Sequence, residues 1–153
     1  MRHLMLALAV AAGLILPAAR GQAEMPSLVT KTSAYNVANT VERLQAAIAK
    51  RGATVFATID HAAGAKSAGM ELTPATLVIF GNPKLGTPFM QSKPIAGLDL
   101  PLHVLVWREG NLVNIGYWTP ARIVETYNVK IDKGLLKTMT DVLAAITDEA
   151  ANP

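Results

Sequence analysis

The chain has 153 residues, of which 51% are hydrophobic and 16% are charged, and this balance excludes a disordered protein and suits one domain with its own core. It contains no cysteine, which excludes disulfide bonds, thiol nucleophiles and cysteine-ligated metal sites. The basic residues are scattered and form no stripe with aromatic residues, so we expect no binding of nucleic acid.

The first 23 residues have the pattern of a secretory signal peptide. A short basic start at residues 1–3 precedes an apolar run over residues 4–16, which is too short to span a bilayer comfortably. Pro17 ends the run, and the small residues that follow predict cleavage after Ala23, with cleavage near Ala19 as the alternative. The pattern predicts an exported protein, periplasmic or secreted, with no stable membrane anchor once the signal is cleaved.

Cleavage also changes the charge of the chain. Arg2 and Arg20 leave with the signal, which lowers the number of basic residues from 14 to 12 against 11 acidic ones. A mature net charge of +1 gives no reason to expect a polyanionic partner. Residues 24–153 then form a single domain.

That domain begins with a strand, a helix and a second strand. Residues 27–35 alternate loosely as a strand, and Asn36 is an N-cap for a helix that stops at Gly52. Residues 53–59 alternate as the next strand, with Val55, Ala57 and Ile59 expected on one face and Phe56 on the other.

The chain is then organised around residues 76–102, which read TLVIFGNPKLGTPFMQSKPIAGLDLPL. Residues 77–80 are a short apolar run that predicts a buried strand. Asn82 and Thr87 each precede a proline as N-cap candidates, and Gly86 between them argues against one continuous helix. We therefore predict that residues 83–98 form a loop with one or two short helical turns.

Two more strands and a helix complete the pattern. Residues 102–107 and 112–118 read as a hairpin around Gly110, and an amphipathic helix runs over about residues 132–149. The fold class is α+β: a two-layer α/β sandwich in the order β-α-β4-α, with a mostly antiparallel sheet and two amphipathic helices on one face. If Phe56, Trp107 or Trp118 lie on the other face, a homodimer would cover them.

Five short motifs lie along the middle of the chain, and together they point to one family. They are Asp60-His61, Leu72-Thr73-Pro74, Phe80-Gly81-Asn82-Pro83, Gly86-Thr87-Pro88 and Asp99-Leu100-Pro101. In this combination they resemble the domain-of-unknown-function 302 family.

The resemblance covers a core of about residues 33–129 and implies a β-α-β4-α fold and a dimer. It implies no reaction, because the activity of the family is not established. The position after Leu102 is commonly lysine or arginine in the family pattern, and here it is His103, which weakens any role of a cation at this place because imidazole is largely neutral at pH 7.

Polar and glycine residues at the strand ends are the candidates for a ligand pocket. Strand ends often gather at one edge of a sheet, so Asp60, His61, Asn82 and Asp99 are expected to converge. The alternative is structural, with Asp60 capping the loop and His61 donating to a carbonyl. The candidate ligand-binding residues are His61, Gly81, Asn82, Gly86, Thr87, Asp99 and His103.

Catalysis and metal binding have weaker support. Asp60 and His61 are candidates for acid–base work, but no Gly-x-Ser-x-Gly elbow and no complete phosphate-binding loop occurs. His61 and His103 are weak candidates for a metal, because no close histidine spacing accompanies them. The sequence names no cofactor.

The sequence therefore predicts an exported domain that binds a small molecule or serves as an accessory protein. One alternative is an enzyme or metal-dependent protein that uses His61 and Asp60. The other is a purely structural dimer module.

Overall fold

Five strands form one antiparallel sheet in the computed structural model, which describes residues 27–153. The predicted signal peptide lies outside these residues. The strands are β1 (Leu28–Ser33), β2 (Thr54–Asp60), β3 (Ala75–Gly81), β4 (Leu102–Glu109) and β5 (Leu112–Trp118). Their order across the sheet is β1-β5-β4-β3-β2, so β1 and β2 are the two edges.

Helices connect and cover these strands. They are α1 (Val37–Lys50), α2 (His61–Ser67), α3 (Pro83–Ser92), α4 (Pro120–Tyr127) and α5 (Lys133–Ala151), with a 3-10 helix at Pro94–Leu98. The predicted α+β sandwich with two long amphipathic helices is confirmed, and α2, α3 and α4 are shorter additions to the β-α-β4-α order.

Local caps explain where the two long helices begin. The Asn36 side chain accepts a hydrogen bond from the Asn39 amide at 2.8 Å at the start of α1. The Asp132 carboxylate accepts from the amides of Gly134 and Leu135 at 2.8 and 3.1 Å at the start of α5. Each side chain pairs amide groups that a helix leaves unpaired at its first turn.

The main core lies between the sheet and the two long helices. Leu44 and Ile48 of α1 and Leu143 and Ile146 of α5 are almost completely buried against one face of the sheet. A second core cluster joins α3, the 3-10 helix, α4 and α5 around Phe89, which is 0% exposed.

The prediction of a loop at residues 83–98 is wrong, because α3 is one helix of ten residues with Pro88 inside it. The sequence correctly places Asn82 as the N-cap and Pro83 at the first helical position. Thr87 is not a second cap. Phe89, fully buried among residues from α4 and α5, anchors α3 through contacts that a local pattern does not show.

The predicted alternation of β2 is also wrong in part. A register shift between Val55 and Ala57 is a β-bulge, so Val55 pairs with Phe80 whereas Ala57 pairs with Ile79. Val55 and Ala57 therefore face opposite sides of the sheet, since Phe80 and Ile79 are consecutive residues of β3.

The face of the sheet away from α1 and α5 is called the outer face. Its apolar side chains include Leu77 and Ile79 of β3, Leu105 and Trp107 of β4, and Trp118 of β5, which are half-buried. The Trp107 ring lies directly over Gly116, where an added Cβ atom would be 2.8 Å from the ring. Of the three aromatic residues considered for this face, Trp107 and Trp118 lie on it, whereas Phe56 lies at the bulge of β2.

Candidate functional site

A largely apolar pocket of about 270 Å³ lies between α3, α5 and the end of the sheet at which β3 ends and β4 begins. Antiparallel pairing of Phe80 with Leu102 brings these two strand ends together. We call this cavity the apolar pocket. It is lined by Ala53, Phe56, Phe80, Gly81, Asn82, Pro83, Leu85, Gly86, Thr87, Met90, Leu100, Pro101, Leu102, Met139, Val142 and Leu143.

The bulge in β2 and a glycine in β3 shape the mouth of this pocket. The Phe56 side chain is 56% exposed, although it is a large aromatic residue in a strand. A Cβ atom on Gly81 would lie 3.3 Å from Cε2 of Phe56 and 3.4 Å from Cβ of Pro101. Gly81 therefore permits the close approach of two apolar groups at the rim.

Asn82 lines the pocket, but its amide has a structural role. Its Oδ1 accepts from the Lys84 amide at 2.9 Å, and its Nδ2 donates to the Gly52 carbonyl at 3.3 Å. These bonds hold the start of α3 against the turn before β2. The Thr87 side chain is exposed at the pocket, and Gly86 there has nothing within 4 Å of an added Cβ atom.

Asp99 lies in a different group of side chains, which we call the Asp99 cluster and define as Asp99, His103, Trp118, Arg122 and Tyr127. The Tyr127 hydroxyl donates to Oδ2 of Asp99 at 3.0 Å, and Nη1 of Arg122 lies 3.6 Å from Oδ1. The Arg122 guanidinium stacks on the Trp118 ring at 4.5 Å from its centre. Asp99, Arg122 and Tyr127 therefore bind one another.

The hydrogen bond to Asp99 raises the pKa of the Tyr127 hydroxyl above its ordinary value of 10.0, and desolvation adds to the rise. Loss of the proton would place a phenolate against the Asp99 carboxylate. The cavity beside Asp99, His103 and Arg122 is only about 10 Å³, close to the minimum that a single water requires.

Asp60 and His61 lie at the opposite end of the sheet from Asn82. Asp60 pairs with Thr76 at the start of β3, whereas Asn82 follows the end of β3. The Asp60 carboxylate accepts from the Ala63 amide at 2.9 Å and caps α2, and His61 is exposed as the first residue of α2. The structure therefore does not bring Asp60 and His61 to the apolar pocket or to Asp99.

The two histidines named as weak metal candidates are also separated. His103 pairs with Ile79 near the end of β3, and His61 follows the residue that pairs near its start. Among residues 27–153, no group of three or more histidine, aspartate or glutamate side chains is placed to hold a metal ion.

Four of the seven candidate ligand-binding residues line the apolar pocket, whereas most of its apolar walls were not predicted. Gly81, Asn82, Gly86 and Thr87 line it as candidates, and all four come from one contiguous segment. Met139, Val142 and Leu143 enter from α5, some fifty residues further along the chain. Their apolar period predicted a helix face but not which space that face would border.

Comparison with known proteins gives a family and a fold. The family model described as "Domain of unknown function DUF302" matches residues 29–147. A crystal structure of an uncharacterized conserved protein DUF302 from Bacillus stearothermophilus superposes with a TM-score of 0.69 at 23% identity, covering 80% of this chain and 97% of that one.

The curated relatives that the chain matches are named as fluoride channels. The chain is 40% identical over 126 residues to the fluoride-specific ion channel FluC 1 of Brucella suis biovar 1, covering 81% of this chain and 50% of the relative. A FluC 1 protein of Brucella abortus biovar 1 matches at 40% identity over 47% of its length. The chain thus spans about half the length of these relatives. None of the helices between residues 27 and 153 has the length and apolar character needed to cross a membrane.

Proposed function

This chain belongs to the DUF302 family, and we propose that it is a binding protein that holds a small, largely apolar molecule in the apolar pocket. The observation that carries the proposal is the pocket itself. Its volume of about 270 Å³ lies between apolar side chains from the sheet, α3 and α5, and is open to solvent on one side.

Size supports a ligand rather than a packing gap. Natural interiors contain few voids larger than a water molecule. An engineered apolar cavity of about 150 Å³ is enough to bind benzene. A cavity of about 270 Å³ lies near the lower end of the range for small-molecule sites, roughly 300–1,000 Å³.

Gly86 offers a direct test of this proposal. A Cβ atom added there meets nothing within 4 Å, and Gly86 lines the pocket, so the ring of Gly86→Phe should take up space that a ligand would occupy. Gly64→Phe is the matched control, because Gly64 is also a helical glycine with open space around it and lies in α2, away from the pocket.

The experiment is titration of the purified protein with 1-aminonaphthalene, a small uncharged dye whose emission shifts to shorter wavelengths in an apolar site. We expect saturable binding that Gly86→Phe weakens at least tenfold and Gly64→Phe leaves within twofold. Binding that neither variant changes would place the dye elsewhere and contradict the proposal. No saturable binding by the unmodified protein would also contradict it.

The pattern of residues 1–23 supports a proposal about where binding takes place. A basic start, a short apolar run and small residues before Ala23 are the features that direct export. We place the protein in the periplasm or outside the cell. Mass spectrometry of the protein from a periplasmic fraction should find a chain that begins near Glu24, and a full-length chain in the cytoplasm would contradict this.

The curated relatives favour a second, accessory role. In two Brucella species a sequence 40% identical to this one makes up about half of a protein named as a fluoride-specific ion channel. The corresponding residues here form a sheet with helices packed on one face, so we assign ion conduction in the relatives to their remaining half. This chain would then assist a separate fluoride channel.

The accessory role is tested by deleting the gene for this protein and measuring growth in medium containing fluoride. We expect greater fluoride sensitivity, restored by the wild-type gene. Equal growth of the deleted and parent strains over the full range of fluoride concentrations would contradict the role, and it would leave the binding proposal standing.

The outer face supports a homodimer as the assembly. Half-buried Leu105 and Trp107 lie near its centre, and a second copy of the chain would remove their apolar surface from water. Leu105→Lys should lower the mass measured by light scattering from that of a dimer to that of a monomer. Leu98→Lys, on the 3-10 helix at a side chain 76% exposed, is the control. A monomer in the unmodified protein would contradict the assembly.

A further inference from the structure

We propose that the ligand of the apolar pocket is an uncharged aromatic compound of roughly ten to twelve non-hydrogen atoms, which rests on the pocket function proposed above. The size follows from scaling the cavity of about 150 Å³ that holds benzene to the present 270 Å³. Charge and chemistry follow from the lining residues.

The lining excludes a charged ligand. Of the described residues that surround the pocket, none is ionisable. The side-chain amide of Asn82 is already hydrogen-bonded to the Lys84 backbone amide and the Gly52 carbonyl, so it has little hydrogen-bonding capacity left for a ligand. A charge buried without a partner is strongly unfavourable, because protein atoms here would not replace its hydration. A hydroxyl group remains compatible with the exposed Thr87 at the rim.

Aromatic and sulfur groups in the lining favour an aromatic ligand over a saturated one. Phe80 is 3% exposed and Met139 is 4% exposed, so both belong to the inner wall. Phe56 and Met90 are 56% and 38% exposed at the mouth. Aromatic rings attract other rings in edge and offset arrangements, and a thioether sulfur is attracted to a ring edge. A pocket built only from aliphatic residues would give no such preference.

The test uses three competitors of 1-aminonaphthalene that share its carbon skeleton. They are 1-naphthol, its fully saturated counterpart 1-decalol, and the anion naphthalene-1-sulfonate. We expect 1-naphthol to compete at least tenfold more strongly than the sulfonate. Because the two alcohols differ in hydration, the decisive quantity is how a substitution changes the ratio of their affinities.

Met139→Leu supplies that substitution, because leucine nearly preserves the volume and removes the sulfur. We expect it to lower the affinity for 1-naphthol about threefold relative to that for 1-decalol. Met70→Leu is the control, since Met70 is 61% exposed and lies outside the pocket.

The aromatic preference, the exclusion of charge and the pocket function can each be contradicted by a different result. An unchanged ratio in Met139→Leu would overturn the aromatic preference, and equal competition by the sulfonate would overturn the exclusion of charge. In both cases dye binding sensitive to Gly86→Phe would leave the pocket function intact. Absence of saturable dye binding would overturn the pocket function and this inference together.

Discussion

The apolar pocket and the Asp99 cluster lie at the same end of the sheet and differ in how much open volume remains between their side chains. The pocket leaves about 270 Å³ open between apolar side chains, whereas about 10 Å³ remains beside Asp99 and His103. Asp99, Arg122 and Tyr127 of the cluster pair with one another, so these charged and hydroxyl groups have little capacity left for a ligand. A concentration of polar residues is a poor guide to a binding site here.

The two regions are nevertheless attached to the same segment. Leu100 and Pro101 border the pocket, and Asp99, the residue before them, pairs with Tyr127 and Arg122 on α4. We therefore expect changes in one region to leave the other intact, unless they remove the core that supports both.

Phe89→Ala removes that common support and is expected to have the largest effect. Phe89 is 0% exposed at the centre of the second core cluster. Truncation of a buried phenylalanine typically costs about 3–5 kcal/mol of the free energy of unfolding, through lost transfer energy and the cavity left behind. Urea denaturation measures this loss.

Ile95→Ala is the control for Phe89→Ala. Ile95 is 56% exposed on the neighbouring 3-10 helix, and surface changes of this kind usually fall within about 0.5 kcal/mol. A similar loss of stability in both variants would mean that the segment is not anchored through Phe89.

Tyr127→Phe should weaken the Asp99 cluster and leave the apolar pocket unchanged. Its effect on stability is expected to be smaller than that of Phe89→Ala. It removes the hydroxyl that donates to Asp99 and leaves the ring in place. Because the folded pKa of Tyr127 is raised above the unfolded value of 10.0, its contribution to stability is fully present below pH 10.0 and is lost as pH rises through the folded pKa. The wild type should thus be more stable than Tyr127→Phe at pH 8, by a margin that shrinks in alkali.

Denaturation at several pH values and dye binding at pH 8 check this prediction together. Affinity of the apolar pocket for the dye should stay within twofold in Tyr127→Phe. Tyr35→Phe is the control, because its hydroxyl makes no hydrogen bond within residues 27–153. Weakened dye binding in Tyr127→Phe would show that the two regions are coupled.

The parts of the fold that local residues determine were predictable from the sequence. Asn36, Asn82 and Asp132 act as caps because each stands directly before a helix whose first amides it can reach. The apolar periods of α1 and α5 predicted two helices on a sheet, since burial of one face repeats along the chain.

The arrangement of the candidate site was not predictable in the same way. Expecting Asp60 and Asn82 to converge treats the ends of consecutive strands as neighbours, which holds for parallel strands. In the antiparallel pair β2–β3 the two ends point in opposite directions. The wall from α5 was missed because Leu143 and Phe80 line one pocket only through long-range packing, which no local motif signals.

Glu149→Gln is expected to have the smallest effect on stability, and it tests how stability is lost at low pH. The Glu149 carboxylate on α5 binds Lys50 at 3.0 Å and Arg51 at 2.8 Å at the end of α1, and these hydrogen bonds lower its pKa below 4.5. Its contribution is therefore present above pH 4.5 and is lost as pH falls through the folded pKa. The side chain is 35% exposed, so solvent screens the pair and the gain is small.

Thermal unfolding of Glu149→Gln should show a slightly lower Tm than the wild type at pH 7, and the difference should shrink as pH falls through the folded pKa of Glu149. Glu42→Gln, at an exposed position of α1 without an ion pair in the described part of the chain, is the control. Dye affinity should be unchanged in both variants, since neither Glu149 nor Glu42 lines the pocket. A lower affinity in Glu149→Gln would mean that any loosening of the two-helix layer reaches the pocket, and the independence of the two regions would then fail.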